Sequence, residues 1–205
     1  MGPPAIDHWQ DVWTSKDRTE VSWFESSPHE SVAMIEALQL PSDAPIVDLG
    51  GGASGLAGEL LGRGYSDLTV ADISEAALES ARDSLGERSE AITWVKADVR
   101  KHDFGRRFAA WHDRAVFHFM TEPADRIAYL GTLRKSLLPG GHLIIATFGP
   151  EGPTSCSGLP VVRYGADDLE ETFEGIARLV HSHLDTHQTP SGQTQQFLYA
   201  HLETM

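Results

Sequence analysis

"VDLGGGASG", Val47 to Gly55, follows a run of strand-forming residues and opens a helix-like one. Gly50, Gly52 and Gly55 satisfy G-x-G-x-x-G, a spacing in which glycine permits a tight turn and lets a ligand lie against bare backbone. The helix that follows offers unbonded N–H groups and the positive end of its dipole. Asp72 stands 24 residues after Asp48, at the end of the next strand-like stretch, about where an acidic residue holds ribose hydroxyls. To this point NAD fits as well as any ligand, and the glycine motif alone is a weak signal.

Outward from the loop, the chain alternates between two periodicities. Strand-like stretches occur at "PIVDLG", "LTVADI", "ITWVKAD", "FAAWHD" and "HLIIATF", with helical ones near 30–40, 55–63, 74–86 and 123–137. That alternation specifies a doubly wound, mostly parallel, Rossmann-like α/β sheet with helices on both faces. "PADRIAYLGTLRKSLL" is followed by "PGG", a helix stop. The tail differs: "IARLVHSHLDTH" and "TQQFLYAHLE" flank "TPSGQ", which reads as an antiparallel C-terminal hairpin completing a seven-stranded sheet. We expect one domain over 1–205, with an aromatic cap segment at 1–28 and a core at 29–205.

Length and composition agree with one core. The chain has 205 residues, 40% hydrophobic and 22% charged, and no run long enough to span a bilayer. "MGPPAIDHWQ" lacks the basic and apolar regions of a secretory signal, and one cysteine, Cys156, permits no internal disulfide. The expected location is the cytoplasm. Sixteen Lys and Arg against 30 Asp and Glu give a net charge of −14, which opposes binding to a polyanion. The basic stretches "VRKHDFGRR" and "RKSLLPGGH" are short and mixed, and read as solvated loops. A small molecule is the expected partner, with neither nucleic acid nor membrane; the oligomeric state stays open.

Three features separate NAD from another nucleotide. Asp48 precedes the glycines on the strand itself, where its charge repels a pyrophosphate and attracts an ammonium. "KADV" places Asp98 and Val99 at the end of the third strand, suited to an adenine edge. The reversed final hairpin is foreign to a dinucleotide domain. In this order, with "LLPGGHLIIATF", the motifs resemble the class I S-adenosylmethionine-dependent methyltransferases over residues 45–150 and, through the hairpin, beyond. The resemblance implies a methyltransferase with S-adenosylmethionine as cofactor: Asp48, Gly50 and Gly52 at its methionine part, Asp72 and the adjoining Ile73 at the ribose, Asp98 and Val99 at the adenine. Capping or turn formation is the plainer role for either Asp72 or Asp98 taken alone.

"WHDRAVFHF", Trp111 to Phe119, breaks a rule: a strand covered on both faces should be nearly continuous Val, Ile and Leu. Three ionisable residues in a row therefore suggest that the strand ends at His112. In the family's strand order it lies beside the glycine-loop strand, so His112, Asp113 and Arg114 should emerge near the transferable methyl. His112 is the candidate base and Asp113 the candidate substrate anchor, against the alternative that both merely hold loops. His118 reads as structural, and Cys156 as a small residue in a packed turn.

The likeness narrows to a group of small bacterial methyltransferases that share "EVSWF" (20–24), "HDRAVFHF", "CSGLPVVRY" (156–164) and H-x-TP-x-G-x-x-Q-x-F from His187, motifs that do not define a substrate. Trp9 and Trp13 are at i, i+4 and, with Trp23 and Phe24, suit a lid over a cation; plain packing on the sheet is the alternative. Arg163 and Tyr164 are candidates for holding a substrate carboxylate. Trp23, Phe24, Arg114 and His187 complete the candidate substrate set. His181, His183, Asp185 and His187 would share one strand face, a pattern of metal sites and equally of exposed polar faces; no metal is expected. A weaker likeness, Asp-basic-small after the strand, links the chain to lysine methyltransferases of translation factors. Methylation of a small molecule is thus the first expectation and of a protein lysine the second, with an NAD-linked oxidoreductase or a non-catalytic cofactor binder remote.

Overall fold

The computed structural model describes residues 5–15, 18–25 and 27–205. Residues 1–4, 16, 17 and 26 of the expected cap segment lie outside the described residues.

Seven strands form one sheet: β1 Ile46–Leu49, β2 Leu68–Asp72, β3 Ile92–Lys96, β4 Phe108–Arg114, β5 Leu137–Phe148, and, after the two-residue strands β6 Ser155–Cys156 and β7 Leu159–Pro160 of a separate small hairpin, β8 Ala177–Gln188 and β9 Thr194–Thr204. The order is β3-β2-β1-β4-β5-β9-β8, parallel except for β9, which runs antiparallel to both β5 and β8. The expected fold class is therefore the observed one. β1 and β2 are buried at every position, as strands covered on both faces must be.

Helices α1 Ala5–Ser15, α2 His29–Ala37, α3 Leu56–Gly62, α4 Glu75–Leu85, α5 Pro123–Ser136 and α6 Ala166–Thr172 complete the chain. Their apolar residues make two cores. On one side of the sheet Trp111, Leu143 and Ile145 meet Tyr129 and Leu133 of α5 and Phe173; on the other, Ile46, Val70 and Ile144 meet Ile35 of α2, Leu56 and Leu60 of α3 and Leu78 of α4. Among the described residues no helix is long and apolar enough to cross a membrane.

Two boundaries differ from expectation. β4 does not stop at His112 but runs to Arg114, pairing Asp113 with Ile145 and Arg114 with Ala146. It can continue because its polar side chains are met by buried partners rather than by water. β3 ends at Lys96, so Asp98 and Val99 lie in the turn beyond the strand rather than at its last residues. Cys156 is buried in the small hairpin, the packed turn expected of it.

Candidate active site

The site forms at the carboxyl ends of β1, β2 and β4. Asp48 and His112 are register partners on adjacent parallel strands, so both side chains leave the same face, toward α2. Asp48 Oδ1 lies 2.7 Å from His112 Nδ1, and His112 Nε2 lies 2.9 Å from Ser31 Oγ. All three residues are buried. Asp48 Oδ2, equally buried, has no hydrogen-bond partner among the described residues. Ser31 had no signal in the sequence: one serine in the first turns of a helix is ordinary.

The glycine loop wraps this carboxylate. Gly50 sits at φ +63° with its N–H donating to Ala71 O, and a side chain there would strike Val116. A Cβ on Gly51 would collide with the Asp48 carboxylate, and one on Gly52 would stand 2.8 Å from Asp72 Oδ2. Asp72 in turn accepts from Gly52 N (3.1 Å) and Ser74 N (2.9 Å). Burial pushes its pKa up to about 6 despite those backbone bonds, with Asp48 adding to the rise. Ile73 follows at the strand's end.

Asp98 is engaged differently. Burial raises its pKa, but hydrogen bonds from Arg100 prevail and hold it below the usual carboxylate range. Arg100 forks onto both oxygens at 2.8 Å and also reaches Asp125 at 3.0 Å. Val99 is buried beside it.

Residues of the cap close over the loop. Gln10 Oε1 of α1 accepts from Ser74 Oγ (3.1 Å) at the start of α4. Trp9 and Trp13 both meet Trp23 edge to face, at 5.8 and 5.9 Å between ring centroids, and Trp9 also meets Phe119. Beneath Trp13, Trp23 and Phe24 lies a cavity of about 50 Å³ floored by Ser31, Asp48, Gly50, Gly51 and His112. A second, open groove of about 590 Å³ is bordered by Phe24, Glu25, His29 and Glu30 on one side and by Asp185, His187 and Pro190 on the other, and Phe24 and Glu25 border both cavities.

Arg114 ties the cap down. Its guanidinium donates to Trp23 O (3.0 Å), to Tyr199 Oη (3.0 Å) and to Glu25 (2.9 Å), and lies 4.7 Å over the Phe197 ring. It borders the cavity, but as a clamp with each of its three nitrogens already donating elsewhere.

Several expected residues fall elsewhere. Asp113 leaves β4 on the opposite face from His112 and is 0% exposed. Its carboxylate accepts from Tyr129 Oη (2.6 Å), Val116 N (2.9 Å) and Phe117 N (3.2 Å), so the geometry of a core brace replaces that of a substrate anchor. Burial pushes its pKa up against those bonds. Tyr164 is buried against Phe117, with burial pushing its hydroxyl up to about 12. Arg163 is exposed and donates to Gly152 O; neither residue borders either of the two cavities. His118 is buried between Phe119 and Phe148, and burial drops its pKa to about 3, fitting the structural role expected of it.

In β8, His181 stacks on His183 and His183 on Tyr199. His183 Nε2 meets Glu30 Oε1 at 2.6 Å, while His187 turns toward the cap and the open groove. Among the described residues no three His, Cys, Asp or Glu are grouped to hold a metal ion.

Residues 46–141 match the family model described as a methyltransferase domain. The chain is 31% identical over 152 residues to EEF1A lysine methyltransferase 2 of Danio rerio, covering 67% of this chain and 64% of that one. It spans less than two thirds of the length of the curated relatives it matches. Among solved structures it is similar to an S-adenosylmethionine-dependent methyltransferase from Anabaena variabilis, with TM-score 0.76, 16% identity and 99% and 96% of the two chains covered. It is also similar to the N-methyltransferase NodS of Bradyrhizobium japonicum in complex with S-adenosylhomocysteine, with TM-score 0.71, 17% identity and 98% and 99% covered. At these identities the structural likeness concerns the fold.

Proposed function

Because residues 46–141 match a family model described as a methyltransferase domain, we propose that the chain transfers the methyl group of S-adenosylmethionine to a small-molecule nucleophile. The observation that supports this best is the Asp48 carboxylate: buried, wrapped by the glycine loop, and with Oδ2 unpartnered beside the cavity. An ammonium group is the natural complement of such an oxygen, and a pyrophosphate would be repelled by it. In this reading Asp48 and the glycine loop hold the methionine part, Asp72 and Ile73 the ribose, and Asp98 and Val99 flank the adenine, with Arg100 already on the Asp98 carboxylate. When bound, the cofactor supplies a methyl group on a sulfonium. His112, with both ring nitrogens engaged, orients Asp48 rather than removing a proton, and the cap aromatics exclude water. The acidic balance of the chain opposes nucleic acid as acceptor, and its single cysteine suits a cytoplasmic enzyme.

A protein lysine is the second reading. It is favoured by the relative from Danio rerio and by the open groove, which Glu25, Glu30 and Asp185 border. With methyl-labelled cofactor and a cell extract, label in an acid-soluble product separated from the cofactor supports the first reading and label on protein the second.

S-adenosylhomocysteine at about 100 times its Kd should add roughly 2.7 kcal/mol of stability, raising Tm by roughly 5–10 °C for a chain of this size. NADH should leave Tm unchanged; the reverse would sink the reading in favour of an oxidoreductase.

Asp72 adds a pH signature. With its pKa raised to about 6, the free protein holds a proton there at lower pH, and that proton must leave before ribose hydroxyls can donate to the carboxylate. Affinity for S-adenosylhomocysteine should therefore weaken as pH falls below about 6, by up to about tenfold per unit. Titration calorimetry in buffers of different ionisation enthalpy should register proton release there and none near pH 8.

A further inference from the structure

A methyl acceptor that carries its proton on the attacking atom needs a base with a free lone pair on a wall the acceptor can reach. His112 does not qualify, since Asp48 and Ser31 occupy both of its nitrogens. His29 borders the open groove but is exposed at its rim, with Nδ1 3.3 Å from Ser27 Oγ. His187 is different. Its Nε2 lies 2.9 Å from Ser22 O, and a carbonyl oxygen only accepts, so the ring proton sits on Nε2. In the neutral ring Nδ1 is then a bare lone pair. Glu25 Oε1 stands 4.0 Å from it, beyond hydrogen-bond distance yet close enough to stabilise an imidazolium once a proton arrives.

The surroundings favour a neutral ring that charges only when it takes a proton. Burial pushes the pKa of His187 below that of free histidine; the Ser22 carbonyl, Glu25 and Asp185 oppose this and Arg114 reinforces it. The Phe197 ring packs edge-on against the imidazole, and Glu30 and His29 stand on the same groove. That groove shares Phe24 and Glu25 with the cavity over the glycine loop.

We propose that the acceptor seats in the open groove bordered by Phe24, Glu25, Glu30, Asp185 and His187, and that His187 Nδ1 is the general base that takes its proton; the assignment rests on the methyl-transfer reading. The acceptor's lone pair forms a bond to the methyl carbon as the carbon–sulfur bond breaks, its electrons passing to sulfur, which becomes a neutral thioether. The acceptor's proton moves to Nδ1, Glu25 offsets the imidazolium charge, and water in the groove then removes the proton. Glu25 is itself fixed by Arg114, so the clamp that holds the cap also positions the base's counter-charge.

The test has two arms. With nitrogen-15-labelled histidine, two-bond proton–nitrogen correlations assigned against His187→Gln should show His187 at pH 7 as the neutral Nε2–H tautomer, with a pKa below that of free histidine that falls further in Glu25→Gln. An Nδ1–H tautomer, or an imidazolium at pH 7, overturns the proposal. Labelled methyl transfer is then measured with a phenol, a thiophenol and a primary alkylamine as probe acceptors. For the probe that is methylated, His187→Gln, whose amide can still donate to Ser22 O, should lower kcat about 100-fold or more and remove the acidic limb of the pH profile. The affinity for S-adenosylhomocysteine should be unchanged. An unaltered kcat overturns the proposal. Failure of the unmodified protein to bind S-adenosylhomocysteine instead overturns the methyl-transfer reading and leaves the tautomer result standing.

Discussion

Asp113→Ala should lower the free energy of unfolding by about 4 kcal/mol, although the residue touches neither cavity. Its carboxylate accepts hydrogen bonds from Tyr129 Oη and from the N–H groups of Val116 and Phe117, wholly out of water. Removing it orphans the buried Tyr129 hydroxyl and Phe117 N–H and the part-buried Val116 N–H, at a cost of about 1–3 kcal/mol for a buried donor, and opens a void besides. Tyr129 already receives Trp111 Nε1–H, so its own proton would point at nothing. Asp113→Asn keeps an oxygen for the two backbone donors and should lose only about 1–2 kcal/mol. Urea unfolding with an unchanged m-value measures both, and a loss below about 1 kcal/mol for the alanine variant would refute the bracing role. The damage should reach the glycine loop. The two backbone bonds hold the turn in which Ala115 adopts φ +66°, and that turn sets Val116 against the place where Gly50 can have no side chain.

The fold was readable because its evidence is local. Short strand-forming runs such as Leu68–Asp72, helix stops and a Pro/Gly turn each declare themselves within a dozen residues, and motif order supplied the rest. The glycine loop was readable because a side chain at Gly50, Gly51 or Gly52 would strike Val116, Asp48 or Asp72. The site was not readable where a residue's meaning depends on a distant partner. His112 and Arg114 read as a strand tip facing the transferable methyl, yet they answer Ser31, 81 residues away, and Glu25, 89 residues away. One signal was present and decisive: the two-residue period of a strand sends His112 and Arg114 to one face and Asp113 to the other. Continuing the strand through Arg114 would have separated the cavity wall from the core brace. Tyr164 misled similarly, since a motif tyrosine reads the same whether it faces a ligand or, as here, Phe117.

Asp48→Asn should weaken binding of S-adenosylhomocysteine by about 100-fold or more while leaving the free protein as stable as before, or more so. The amide is nearly isosteric, so the glycine loop can still wrap it, and its oxygen can still accept from His112 Nδ1. What changes is the second atom. Oδ2, which has no partner within the described structure, becomes an NH₂ group that presents donors to an ammonium instead of a charge. Losing one partner of a buried charge pair costs about 2–5 kcal/mol, and about 2.7 kcal/mol is already a hundredfold. In the free protein the same change relieves a buried, half-satisfied carboxylate of its desolvation penalty, so melting temperature and affinity should move in opposite directions. Calorimetric titration and thermal unfolding of the one variant test both signs. Affinity within tenfold of the unaltered protein would remove Asp48 from the cofactor site, whereas parallel losses of affinity and stability would mean that the carboxylate serves the fold alone. Opposed signs are the mark of a group kept at some cost to the empty protein because a bound cation completes it.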